Sequence, residues 1–359
     1  MAGLPPFSRA LIVALQVLFV HSAWAADVTE REVRFFSKDA QLAGTLSLPK
    51  SGQGPFPALV LVSEFGPVDR DESWGKGNGT FREIAHHLAG AGFAVLRYDP
   101  RGIPKSGGYY LGAGLYEFGH DAASALNYLK TLKEVDRQRI FVLGHGYGAK
   151  AAIIGALSTP DIRGVVLLAG VYDREPEHRR RTMQFQLQAD GRAAAEVERI
   201  LEQHRQFIEK IEIGRYFQYE DYFLDPALAD WIVQAMKLNP ESPAWWRDNL
   251  VFDAVTAASK LPCPILMLHG ECDYLVDSRE VQTALDRLHK LSKKDVELKS
   301  FAGLNHRFIP VQSPREAYQF DRATVMTKSD ASYPFESRVL GTLSSWLSGR
   351  AGTSTTPKK

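Results

Sequence analysis

The chain has 359 residues, 45% of them hydrophobic and 24% charged, with 43 Lys and Arg against 42 Asp and Glu for a formal net charge of +1. This is a globular composition with ample core, which excludes a disordered chain. The near-zero charge balance excludes the basic footprint of a nucleic-acid-binding protein.

The first 26 residues differ from the rest. Arg9 supplies a positive start, "ALIVALQVLFV" from Ala10 to Val20 is an apolar run too short to span a bilayer, and Ala23-Trp24-Ala25 offers an A-x-A cleavage site. These predict a secretory signal peptide over 1–26, with a transmembrane anchor as the alternative. The mature protein is then expected to be secreted or periplasmic, with no membrane span after cleavage. Cys263 and Cys272 are the only cysteines, and the strand-like "PILMLHGE" between them holds them beyond disulfide reach, so both are read as free thiols. No second cysteine or histidine pair has ligand spacing; no metal and no cofactor are expected.

In chain order, apolar β-branched runs read as strands: "EVRFFS", "LAGTLSLP", "ALVLVS", "FAVLRYD", "RIFVLG", "GVVLLAG", "ILMLHG" and "VELKSFAG". The first two alternate and lie close together, predicting an antiparallel hairpin. The later ones are continuous runs separated by helical patterns, as in a parallel sheet covered on both faces. Eight such strands predict a doubly wound α/β sheet. A long interval before "ILMLHG" carries the helical "AAAEVERILEQHRQFIEKI" and predicts a helical lid over 172–255. The core then comprises 27–171 and 256–350, with a disordered polar tail over 351–359.

Chemistry is suggested first by "RIFVLGHGYGAKAAIIGAL", Arg139 to Leu157, which reads strand, glycine turn, helix. "GHGYG" differs from the nucleophile elbow G-x-S-x-G only in having Gly146 at its centre. Asp273 follows the seventh strand in "HGECDYLVD", and His306 follows the eighth in "FAGLNHRF". The order elbow, Asp, His is that of α/β hydrolases.

The stretch "SEFGPVDRDES", Ser63 to Ser73, then makes the resemblance specific. It resembles the "GSGPxDRD" segment of bacterial α/β-hydrolase esterases and acyl thioesterases. The likeness continues through "LRYDPRGIPKSGG", "WWRDNLVFD", "HGECD" and "GLNHRF". It implies an α/β-hydrolase fold with a helical lid after the sixth strand, and action on a small acyl or carbonyl ligand. It also implies Asp273 and His306 as partners of a serine that Gly146 replaces, and an oxyanion hole from the backbone N–H groups of Phe65 and Tyr147. Glu64 stands where the family has glycine. An inward Glu64 carboxylate would repel a developing oxyanion, and an outward one would not.

Three readings follow. Asp273 and His306 could activate water or a substrate proton without a covalent step, in the space left by the missing hydroxyl. The protein could instead be an inactive pseudoenzyme that keeps a ligand pocket, or a variant of an ordinary esterase. Weaker candidates have blander explanations. Cys272 is expected to be an inert thiol, His145 a packing residue, and "EHRRR" at 177–181 a solvated lid helix. The aromatics Tyr216, Phe217, Tyr219, Tyr222, Phe223, Trp245 and Trp246 are expected to pack lid on core, and His86 and His87 to lie on the surface. Asp99, Arg101 and Ser106 are expected to brace the sheet edge.

Overall fold

A computed structural model of the chain describes residues 28–66, 68–73, 79–212, 243–327 and 335–352. The expected leader over 1–26, the last seven tail residues and the aromatics from Tyr216 to Phe223 lie outside these described residues.

The eight strands form where the apolar runs predict them. β1 (Val28–Ser37) and β2 (Ala40–Pro49) make the antiparallel hairpin, in register from Val28 opposite Pro49 to Ser37 opposite Ala40. β3 (Phe56–Val62), β4 (Ala94–Tyr98), β5 (Val135–His145), β6 (Gly164–Leu168), β7 (Ile265–Gly270) and β8 (Val296–Phe301) run parallel to one another. The sheet order is β1-β2-β4-β3-β5-β6-β7-β8, with β2 antiparallel to β4.

The period-2 rule assigns each strand residue to one of two cores. Ala58, Val60 and Val62 of β3 join one, together with Leu126 of α2 (Leu115–Thr131), Ile153 of α3 (Gly148–Leu157) and Leu288 of α8 (Ser278–Lys290). Leu59 and Leu61 join the other, with Phe81 and Ile84 of α1 (Thr80–Gly90) and Leu343 and Leu347 of α10 (Ser337–Ala351). β4, β6 and β7 are buried along their whole length, which is why they carry no polar alternation. The α10 helix runs through Ala351, one residue into the segment expected to be disordered, and Gly352 caps it at φ 69°.

Between β6 and β7 the described residues form α4 (Glu175–Ala189), α5 (Ala194–Glu212), α6 (Pro243–Val251) and α7 (Ala254–Ser259). Val197, Ile200, Leu201 and Ile208 lie on one stripe of α5. With Met183, Leu187, Trp245, Trp246 and Leu250 they form a third core, against which Phe65 and Tyr147 pack. The insertion therefore sits on the loops that follow β3 and β5. Ala254, Val255 and Ala258 of α7 belong to the first sheet core, so the covering layer resumes at residue 254.

The β2–β4 seam is tied by a polar loop. The Ser106 hydroxyl donates to the Asp99 carbonyl at 2.7 Å and accepts from the Ala43 N–H at 2.9 Å. The Arg70 guanidinium grips the Asp99 carboxylate through Nε and Nη2 at 3.1 and 2.9 Å, and Arg101 likewise grips Asp121 at 2.9 and 2.6 Å. Ser106→Ala strands two backbone groups at a partly buried site. Chemical denaturation should show a loss of about 1–2 kcal/mol with an unchanged m-value.

Candidate active site

The β5–α3 turn is tight because its glycines have no room to be anything else. A Cβ on Gly144 would lie 2.2 Å from the Gly148 carbonyl oxygen, and one on Gly148 would lie 2.3 Å from that of Ser63. Gly146 stands at the apex with φ +53°, its N–H bonded to the Leu168 carbonyl at 3.0 Å. A Cβ there would fall 1.7 Å from Glu64 Oε2. The space that a residue-146 side chain would use is therefore filled.

Glu64 points inward, which decides between the two orientations left open by the sequence. Its Oε1 accepts the Phe65 N–H at 2.9 Å and the Tyr147 N–H at 3.0 Å, the two donors expected to form an oxyanion hole. Its Oε2 lies 2.8 Å from His306 Nε2. The room expected beside His306 for a water is thus occupied by a carboxylate oxygen.

The strand ends bring Asp273 and His306 together as expected. Asp273 Oδ2 lies 2.6 Å from His306 Nδ1, and its Oδ1 accepts the N–H groups of Leu275 and Val276 at 2.8 and 3.0 Å. Burial works against a charge on His306, but the carboxylates of Asp273 and Glu64 outweigh it and raise the imidazole well above its ordinary value. Burial likewise pushes Glu64 up, yet the hydrogen bond and charge of His306, with His145 and the Tyr147 N–H, hold it below the ordinary carboxylate value. Near neutral pH the pair is therefore an imidazolium clasped by two carboxylates. The neutral base expected from the sequence is absent from this arrangement.

Beneath it lies a second pair. The Glu72 carboxylate, fully buried, accepts the Glu64 N–H at 2.7 Å and faces His145 Nδ1 at 2.8 Å. His145 Nε2 reaches the His306 carbonyl at 3.1 Å, and the two imidazole rings stack with centroids 4.9 Å apart. Desolvation opposes a charge on His145 too, but Glu72 wins and its pKa is raised. His145 is thus more than a packing residue: it buttresses the loop that carries His306. The sequence gives no signal for Glu72, although it lies within "SEFGPVDRDES". Its φ of +50°, unusual for a glutamate, is a strain that only the folded chain displays.

The ligand atoms of Glu64, His145 and His306 lie within 4.8 Å of one another, a donor set of the kind metals use. Both nitrogens of both rings already face oxygen acceptors, so neither imidazole offers a lone pair.

A recess of about 430 Å³, counting its open mouth, adjoins Glu64. Phe65, Tyr110, Phe118, Tyr147 and Trp245 are among its lining residues, and the Phe65 ring lies 5.0 to 6.3 Å from the other four. Trp245 therefore belongs both to the third core and to the wall of the recess.

The remaining candidates lie elsewhere. Cys272 is partly buried with its Sγ 3.9 Å from the Val311 carbonyl, and Cys263 is buried; both are free thiols. His86 pairs with Glu30. Within the basic run, His178 and Arg181 pair with Glu280, and Arg179 with Glu175. No helix among the described residues is long and apolar enough to cross a membrane.

Comparison with known proteins agrees with the fold. The alpha/beta hydrolase GrgF from Penicillium sp. superposes with a TM-score of 0.59 at 18% identity, covering 90% of this chain and 99% of that one. The Pyrococcus furiosus esterase Pf2001 gives 0.53 at 17% identity, covering 89% and 91%. Esterase EstD of Thermotoga maritima is 29% identical over 274 residues, which is 75% of this chain but 58% of that protein. The chain thus spans less than two thirds of this relative's length. The Hydrolase_4 family model, described as serine aminopeptidase, S33, matches residues 75–310, well over half of the sequence. Sheet order, strand-end geometry and family match lead to one conclusion: the chain belongs to the serine aminopeptidase S33 family of α/β hydrolases.

Proposed function

We propose that the protein is an exported, esterase-like hydrolase in which acyl transfer through an elbow serine has been given up, with Gly146 at the former nucleophile position. One observation carries this reading. The Glu64 carboxylate engages both oxyanion-hole donors, His306 Nε2 and the space of a residue-146 side chain at once. Glycine cannot be acylated, and a carboxylate in the hole repels the charge that the hole exists to stabilise. Ordinary turnover of small esters, thioesters or carbonyl compounds is therefore expected to be weak. Export rests on the leader sequence at 1–26.

A second reading is favoured by the recess, which stays open beside a plugged catalytic centre. In it the protein is an exported ligand-binding pseudoenzyme, holding a small acyl or carbonyl compound among the aromatics.

An ester and thioester panel with a fluorophosphonate probe tests both. The parent protein should show no pre-steady-state burst and no labelling within the β5–α3 turn. A burst, or a phosphonylated peptide from the β5–α3 turn, would overturn the loss of serine chemistry. Turnover above buffer without a burst favours the enzyme, and saturable binding of an unreactive acyl compound without turnover favours the pseudoenzyme.

A further inference from the structure

We propose that Glu64 is itself a nucleophile, acting on alkyl electrophiles: its Oε2 displaces a leaving group from saturated carbon, and the resulting Glu64 ester is then hydrolysed in the oxyanion hole. This rests on the reading that no serine operates at residue 146.

The argument begins with which oxygen occupies the hole. In acyl transfer the hole must receive the substrate's carbonyl oxygen, but here Glu64 Oε1 holds both donors at 2.9 and 3.0 Å. Those donors can therefore stabilise an oxyanion only on the protein's own carboxyl carbon. Such an oxyanion forms when water attacks an ester of Glu64, and that ester arises when Oε2 has taken an alkyl group. Carboxylates serve as covalent nucleophiles elsewhere in enzyme chemistry. Oε2 occupies the place beside His306 that the side chain at 146 leaves vacant, and Glu64 lines the recess. The aromatic walls suit an apolar alkyl chain.

The steps balance. First, Glu64-COO⁻ and R–X give Glu64-CO–OR and X⁻: the Oε2–C bond forms and the C–X bond breaks with its electron pair on X. Alkylation removes the negative charge on Glu64, one of the two carboxylates that raise His306. The imidazolium can then release its proton to solvent. Neutral His306, held by Asp273 at 2.6 Å, accepts a proton from water as the oxygen bonds to the Glu64 carboxyl carbon. The oxyanion on Oε1 collapses, the alkoxide leaves with that proton as ROH, and the remaining carboxyl proton passes to the now neutral His306, which restores both the carboxylate and the imidazolium. The sum is R–X and water to ROH, X⁻ and a proton.

The test uses the whole protein and 1-bromohexane in heavy-oxygen water. The parent should release bromide with repeated turnover, and heavy oxygen should enter the Glu64 carboxyl group, read from its peptide mass. In His306→Gln the second half-reaction should stall, leaving one hexyl group on Glu64. Glu64→Gln should lose bromide release. The parent's own isotope label needs no variant, so misfolding of either substitution does not decide the matter. Bromide release with heavy oxygen only in hexanol after many turnovers, or no bromide and no Glu64 adduct in any protein, overturns the proposal. If the parent instead shows a burst with the ester panel or yields a phosphonylated peptide from the β5–α3 turn, the underlying reading has failed; if it does neither and Glu64 stays unmodified, only this inference has.

Discussion

Gly146→Ser alone should leave p-nitrophenyl ester hydrolysis within about tenfold of the parent, whereas Gly146→Ser combined with Glu64→Gly should raise kcat by at least about 10³-fold. The obstacle in the single variant is not the backbone. Nucleophile elbows hold their serine in a strained turn, and the φ of +53° at Gly146 suits one. The obstacle is Glu64 Oε2, which lies 1.7 Å from the new Cβ, and Oε1, which blocks the two N–H donors. A serine forced in must expel a carboxylate from three hydrogen-bond donors, and the recess that would receive it is walled by Phe65, Phe118 and Trp245, which offer a carboxylate little compensation. Removing Glu64 opens the hole and leaves His306 with Asp273 alone, the partner it has in a triad. Losing the serine of a working triad costs about 10⁶ in kcat, so recovery of about 10³ on an unadapted scaffold is a modest demand. Burst kinetics and fluorophosphonate labelling would check that the new hydroxyl is what reacts. Full activity from the single variant would sink the view that Glu64 fills the site. A silent double variant would show that the hole itself is not competent.

Much of this was legible in the sequence because strand ends in a doubly wound sheet are predictable. The apolar runs placed β5, β7 and β8, and the residues just beyond them had to meet at one edge. Gly146, Asp273 and His306 follow from that alone, and the resemblance added Phe65 and Tyr147. What could not be read was the direction of one side chain. Nothing local tells Glu64 to turn inward. That depends on Glu72 accepting its backbone N–H, on His306 arriving from 242 residues away, and on Gly146 leaving room. Glu72 and His145 were missed as a functional pair for the same reason: their pairing joins the loop after β3 to the end of β5. Glu64 and Gly146 lie 82 residues apart, and nothing in the sequence says that they touch. In the fold they are one feature, since the inward Glu64 carboxylate fits only because residue 146 has no side chain.

His306→Ala should destabilise the protein by about 3–5 kcal/mol at pH 7, because it removes one partner of a buried ionic cluster and leaves the others uncompensated. The imidazolium is only 6% exposed and bridges Asp273 and Glu64, which are 0% and 14% exposed. Without it two carboxylates face each other across a cavity, with Glu72 close behind. The pH dependence carries a definite sign. In the parent, His306 is raised in the folded state, so its contribution is full below the ordinary imidazole value of 6.5 and is lost as pH rises through the raised value. Glu64 is lowered, so its contribution is present above the ordinary 4.5 and is lost as pH falls through the lowered value. The pair therefore contributes fully between pH 4.5 and 6.5, and the His306 part persists above pH 7 because its raised value lies well above 6.5. Urea denaturation of parent and variant at pH 7 and at pH 8.5 should accordingly show the deficit shrinking by at least about 1 kcal/mol at the higher pH, as the parent loses the His306 contribution that is full below 6.5. A deficit below about 1 kcal/mol at pH 7, no more than a solvent-exposed pair contributes, or one that does not change with pH, would mean that His306 is not held as an imidazolium between the two carboxylates.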